Sequence, residues 1–127
     1  MHSDVKKYAD LGDIKRLKYI FLDSLDVDPT FEDYEEDYEY ASKVPGLVEP
    51  YEELTPLIDN QSQWNENYWI TIKRDLLKNF SIKRFEHMKK VARVIHADKL
   101  ERIEKERVYQ KIKERELLYC FQIMEIV

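Results

Sequence analysis

Between Phe31 and Tyr40 the chain reads Phe-Glu-Asp-Tyr-Glu-Glu-Asp-Tyr-Glu-Tyr, six carboxylates and three tyrosines in ten residues. Acids beyond the first helical turn gain little from the helix dipole and repel one another, so this density exceeds what local stability asks for. A row of carboxylates imitates phosphate spacing and attracts a basic surface. Tyrosines between them supply rigid contact area suited to interface anchors. The candidate partner-binding residues are therefore Glu32, Asp33, Tyr34, Glu35, Glu36, Asp37, Tyr38 and Glu39. The same spacing also fits a solvated helix whose aromatic stripe fills a core.

Other reactive groups point away from catalysis. Asp26-Val27-Asp28 opens with calcium-loop spacing, but Phe31 stands where the loop needs glycine and Asp37 where it needs glutamate. His87 and His96 are nine residues apart, which is no ligand pair on one helix turn, and neither His-Glu-x-x-His nor Cys-x-x-Cys occurs. A Gly-x-Ser-x-Gly elbow is also missing. The single cysteine, Cys120, lies in the apolar run Leu117-Leu118-Tyr119-Cys120-Phe121 and reads as a buried small hydrophobe. No catalytic residue, metal ligand or cofactor site is expected, and the chain reads as a binding protein rather than an enzyme.

A second candidate surface is basic. Lys73, Arg74, Lys78, Lys83, Arg84, Lys89, Lys90 and Arg93 fall within about two helices. They form either a nucleic-acid or protein-binding face or a solvated face that balances the acidic helix. Residues 1–67 carry 17 acidic and 6 basic side chains, residues 68–127 carry 9 and 15, and the whole chain has a net charge of −5. A net acidic protein is repelled by nucleic acid at long range, which favours the solvated reading and makes direct nucleic-acid binding the lesser alternative.

The elements that must position these groups are helical. Only two glycines occur, too few for a turn-rich sheet protein or a glycine-rich phosphate loop. Apolar residues make up 43% of the 127, enough for one core. The spacing of Ile14, Leu17, Phe21 and Leu25 predicts a helix over 13–25 capped by Asp13, with a shorter helical turn over Ser3 to Ala9 before it. Asp28-Pro29 predicts a restart, with Phe31, Tyr34, Tyr38 and Ala41 as the inward stripe and Pro45-Gly46 as the stop. A short helix is expected near Tyr51 to Leu54. A third helix is expected from about Ser62 to Asn79. A fourth, capped by Ser81, places Ile82, Phe85, Met88, Val91, Ala92 and Ile95 inward. Asp98 is a plausible cap for a fifth, although no Gly or Pro follows Pro56, so the last two can merge into one rod. The closing residues 120–127 read as helix end or short strand. The expected fold is thus all-α, a single domain over 1–127, a compact bundle of about five helices with a short C-terminal strand as an option.

The residues from Met1 to Lys7 lack the apolar core of a signal peptide, and the longest apolar run, Leu117 to Val127, is too short to span a bilayer. With a single cysteine, these point to a cytoplasmic protein that is not membrane-embedded.

The helix Leu17-Lys18-Tyr19-Ile20-Phe21-Leu22-Asp23 followed by Asp28-Pro29-Thr30-Phe31-Glu32-Asp33-Tyr34-Glu35-Glu36-Asp37-Tyr38 resembles the small acidic immunity proteins of bacterial toxin–immunity pairs, including those of contact-dependent inhibition and polymorphic toxin systems. The resemblance covers roughly the first half of the chain and rests on character rather than on a signature motif. It implies one-to-one capture of a cognate toxin with a basic surface, often a nuclease. The alternative role is a helical regulatory module that binds nucleic acid or a protein through residues 73–93.

Overall fold

Asp13 starts the helix around which the N-terminal part of the molecule is organised: its carboxylate accepts from the Arg16 backbone N–H at 3.2 Å. The computed structural model of the chain describes residues 1–126, the side chain of Ile126 excepted. Every regular element among them is helical: α1 (Ser3–Leu11), α2 (Ile14–Val27), α3 (Glu35–Ser42), α4 (Glu66–Lys78), α5 (Ile82–Ile95) and α6 (Ala97–Ile126), with single 3₁₀ turns at Glu32–Tyr34 and Gln61–Gln63. The all-α expectation holds. The chain divides into two compact units, residues 1–97 and the residues from Asp98 onward.

In the first unit α2 is the hub, packing against α1, α4 and α5. Its inward residues Leu17, Phe21 and Leu25 are fully buried. Gly12 closes α1 in the left-handed conformation (φ 68°), which lets the Gly12 and Asp13 N–H groups bond back to Ala9 and Tyr8. Asn65 caps α4 and Ser81 caps α5, each side chain accepting a backbone N–H three residues on. Phe80, Phe85, Met88 and Val91 complete the core with Ile72 and Leu76.

Four expectations are corrected. The helix expected to restart at Asp28-Pro29 does not form there. Instead Asp28, almost fully buried, accepts from the Thr30 N–H (3.0 Å), the Thr30 hydroxyl (2.6 Å) and the Asp33 N–H (3.0 Å). Phe31 then turns into the left-handed region (φ 63°) before the helix begins. That conformation is costly for a bulky side chain, and the ring it turns inward lies 5.1 Å from Phe85 and 5.8 Å from Tyr38. The segment near Tyr51 to Leu54 is not helical. Residues 48–60 run as an irregular strap over α4 and α5, and its polar backbone groups are met by side chains. Asn79 takes the Glu52 N–H and donates to the Pro50 carbonyl, Asp75 takes the Thr55 N–H, Tyr68 takes the Ile58 N–H, and Arg84 donates to the Glu52 carbonyl. Ile82, expected inward, is 60% exposed at the first position of α5.

The fourth correction concerns the second unit. Of the two readings open for residues 81–119, the separate helices hold, because His96, with non-helical backbone angles, ends α5. α6 runs unbroken through Cys120 to Ile126, so the optional strand is helix, and Val127 lies outside the described residues. Cys120, expected buried, is exposed. The apolar residues of its run are distributed around the helix instead of along one side, so α6 by itself has nothing to enclose them.

Candidate partner-binding surface

The left-handed turn at Phe31 sets which way the acidic segment faces. Glu32, Asp33, Glu35, Glu36 and Glu39 are exposed, and Glu35 and Glu39 form no ion pair among the described residues. The other three predicted residues are turned to structural work. Asp37 is fully buried and bound to His2: its Oδ1 accepts the His2 N–H at 2.8 Å and its Oδ2 lies 2.5 Å from Nδ1. Asp37 therefore leaves the partner-facing set. Tyr38 is half-buried, stacked on Phe85 at 5.2 Å and edge-on to Phe21 at 5.5 Å. Burial, with Glu86 nearby, raises its phenol above the ordinary value. Tyr34 is intermediate, lying flat on the His2 ring at 4.6 Å, and burial together with Asp37 and Asp33 raises its phenol as well. The outward surface is carboxylate, with the edge of Tyr34 as its aromatic part.

The basic surface is reduced further. Arg84 is wholly buried, 3.9 Å from the Asp75 carboxylate and stacked over Tyr51, and its Nε and Nη1 make no hydrogen bond. Lys73 is bound to Asp26 at 2.5 Å. Lys89 pairs with Glu86 and lies 4.7 Å over the Phe31 ring. Arg74, Lys78, Lys83, Lys90 and Arg93 stay exposed.

The three histidines have separate structural partners. His2 holds Asp37. His96 shares Asp26 with Trp69 and Lys73 at 2.7, 2.8 and 2.5 Å. Burial works to raise the Asp26 carboxyl, and these three donors outweigh it, so the group lies below its ordinary value. The Asp26-Val27-Asp28 pair is thereby split, one carboxylate binding side chains and the other capping a turn. His87 lies in the wall of an open cleft of 490 Å³ that also presents Tyr51, Glu53, Asp59, Lys83 and Lys90. The Tyr68 hydroxyl, which accepts the Ile58 N–H, lies 2.8 Å from His87 Nε2, and burial lowers the basicity of that imidazole. The cleft mixes both signs of charge, and its wall contains no serine, threonine or cysteine. No group of three potential metal ligands occurs among the described residues.

Asp75 and Asn79, which hold the strap, were missed in the sequence, and Arg84, read there as part of the basic surface, joins them beneath it. They carry a readable signal: Asp75 and Asn79 follow Ile72 and Leu76 by three residues, polar groups on an inward stripe.

No protein-family model, curated protein or solved structure matches the chain. No helix among the described residues is long and apolar enough to cross a membrane.

Proposed function

We propose that the protein is an immunity-type inhibitor, a cytoplasmic binding protein that neutralises a cognate bacterial toxin domain, a nuclease for preference, by covering its basic substrate surface. The observation that carries this reading is the exposure of Glu32, Asp33, Glu35, Glu36 and Glu39 on one short segment while the Tyr38 ring packs against the core. Five outward carboxylates within eight residues create a local negative field that steers a cationic partner. Tyr38, half-buried with its ring packed on Phe85 and Phe21, contributes stiffness to α3 more than contact area. Release is governed by how well the partner's cations are paired and desolvated against the carboxylates, with Tyr34 at the edge.

Activity as a nucleic-acid binder through residues 73–93 is the weaker reading, because three of the eight cations there are committed to Asp75, Asp26 and Glu86. The product of the gene adjacent to this one, co-expressed with it, is expected to co-purify as a one-to-one complex with its toxic activity suppressed. The triple variant E35K/E36K/E39K is expected to lose capture while melting like the parent. Capture unchanged in that variant rejects the acidic face. No complex with any neighbouring product, together with retardation of DNA or RNA at moderate salt, rejects the inhibitor role.

A further inference from the structure

α6 exposes nine large apolar side chains between Val108 and Met124. Monomers rarely leave that much apolar surface on one element. Its charges balance: residues 97–126 hold seven acidic and seven basic side chains, so neither an acidic nor a basic partner is favoured at long range. The order of the residues along one face is what identifies the occupant. Val108, Ile112, Tyr119 and Ile123 project within an arc of roughly 60° at about 100° per residue. They are 57, 48, 64 and 43% exposed. Arg115 and Glu116 flank the middle of this stripe. Read from Val108 onward, the steps are four, three, one, three and four residues, a sequence that is the same in both directions.

We infer that α6 pairs antiparallel with α6 of a second copy, crossing between Arg115 and Glu116. In that register Val108 lies opposite Ile123, Ile112 opposite Tyr119, and Arg115 opposite Glu116, each contact occurring twice as a two-fold interface requires. The register follows from the symmetry of the stripe. In this register Leu117, Leu118, Phe121 and Met124, also exposed, stand opposite Glu114, Lys113, Gln110 and Arg107, whereas a register that pairs Leu117 with Met124 and Leu118 with Ile123 sets Glu116 against Glu125 and forgoes the Arg115–Glu116 pairs. A parallel pair would set Arg115 beside Arg115 and Glu116 beside Glu116. The overlap runs 16 residues, about 24 Å. The four stripe residues contribute on the order of 400 Å² of apolar surface per copy, judged from ~150–250 Å² for a whole aromatic side chain. Over the two copies that is ~800 Å², below the ~1,200–2,000 Å² buried in stable specific interfaces, so a weak dimer with a dissociation constant no tighter than about micromolar is expected.

This pairing is independent of the acidic-face reading. Sedimentation equilibrium of the full chain at roughly 100 µM, well above a micromolar dissociation constant, tests it. The parent is expected to sediment as a dimer and I112E/Y119E as a monomer, with residues 1–97 melting unchanged. E116R alone is expected to weaken the dimer about tenfold or more by setting Arg against Arg, and R115E/E116R to restore it. A parent that is monomeric at that concentration overturns the inference, as does a dimer that survives I112E/Y119E or a double swap that fails to restore E116R. A monomer that instead binds phosphatidylcholine vesicles assigns the apolar surface to lipid and overturns it equally.

Discussion

Tyr38 and Glu39 are neighbours in the sequence with opposite duties. The Tyr38 ring stacks between Phe85 and Phe21, so Tyr38→Ala leaves a void in an aromatic cluster and is expected to destabilise by about 2–4 kcal/mol. Glu39→Lys on the outward side is expected to shift stability by less than about 0.5 kcal/mol. Urea denaturation of the two variants measures both, and a Tyr38→Ala protein as stable as the parent would return Tyr38 to the binding surface. His87 carries a second residue-scale consequence. Burial, helped by Lys90 and Arg84 and opposed by Asp59, holds its imidazole below the ordinary value of 6.5. The unfolded chain therefore takes up a proton near pH 6.5 and the folded one only at lower pH. Stability is complete above that range and falls as the pH drops through it. Asp26, depressed as a carboxylate, loses its contribution only further down, below the ordinary carboxylate value of 3.8. Thermal midpoints between pH 7.5 and 5.0 should decline more steeply in the parent than in His87→Gln, which keeps a polar partner for Tyr68 but does not titrate. Equal slopes would mean that His87 is not buried as a neutral base.

The strap over residues 48–60 is the element that depends least on its own sequence. It has no internal ladder and is held by Asn79, Asp75, Tyr68 and Arg84 from the two helices beneath. Asn79→Ala removes both a donor and an acceptor, leaving the Glu52 N–H and Pro50 carbonyl to find water. The expected cost is about 2–4 kcal/mol, with hydrogen exchange accelerated first at residues 49–58; slow exchange there in the variant would show that the strap is held another way. This dependence explains what could be read from the sequence. The helices whose caps and stripes agree, from Asp13 through Leu25 and from Ser81 through Ile95, were legible because local capping and apolar period select the same structure. The Asp28-Pro29 restart failed because Asp28 had two roles available, helix cap or turn cap, and burial of the Phe31 ring decided for the turn. The short helix near Tyr51 was illegible because side chains of α4 and α5, remote in sequence, satisfy that backbone. The inward reading of Cys120 failed because an apolar run does not say whether another element covers it. Within the acidic segment, composition picked out the outward carboxylates but could not separate Asp37, whose partner His2 is 35 residues away.

Charge is divided between the units in a way that separates their interactions. Residues 98–127 are neutral, so the net −5 belongs to residues 1–97. Attraction between a negative surface and a cationic partner acts through solvent and is screened within ~10 Å at 0.1 M salt. Pairing of a neutral helix with its own copy rests on apolar contact and two close ion pairs, with no net field to screen. Raising salt from about 50 to 500 mM should therefore slow association with a basic partner by about tenfold or more, while the dissociation rate changes much less. The dimer dissociation constant should move by no more than about threefold over the same range, since the two cross-helix pairs weaken while apolar burial is maintained. Stopped-flow association and sedimentation equilibrium at the two salts measure the pair of slopes. If both respond equally to salt, the acidic segment and α6 belong to one binding surface, and the assignment of separate partners to the two units fails.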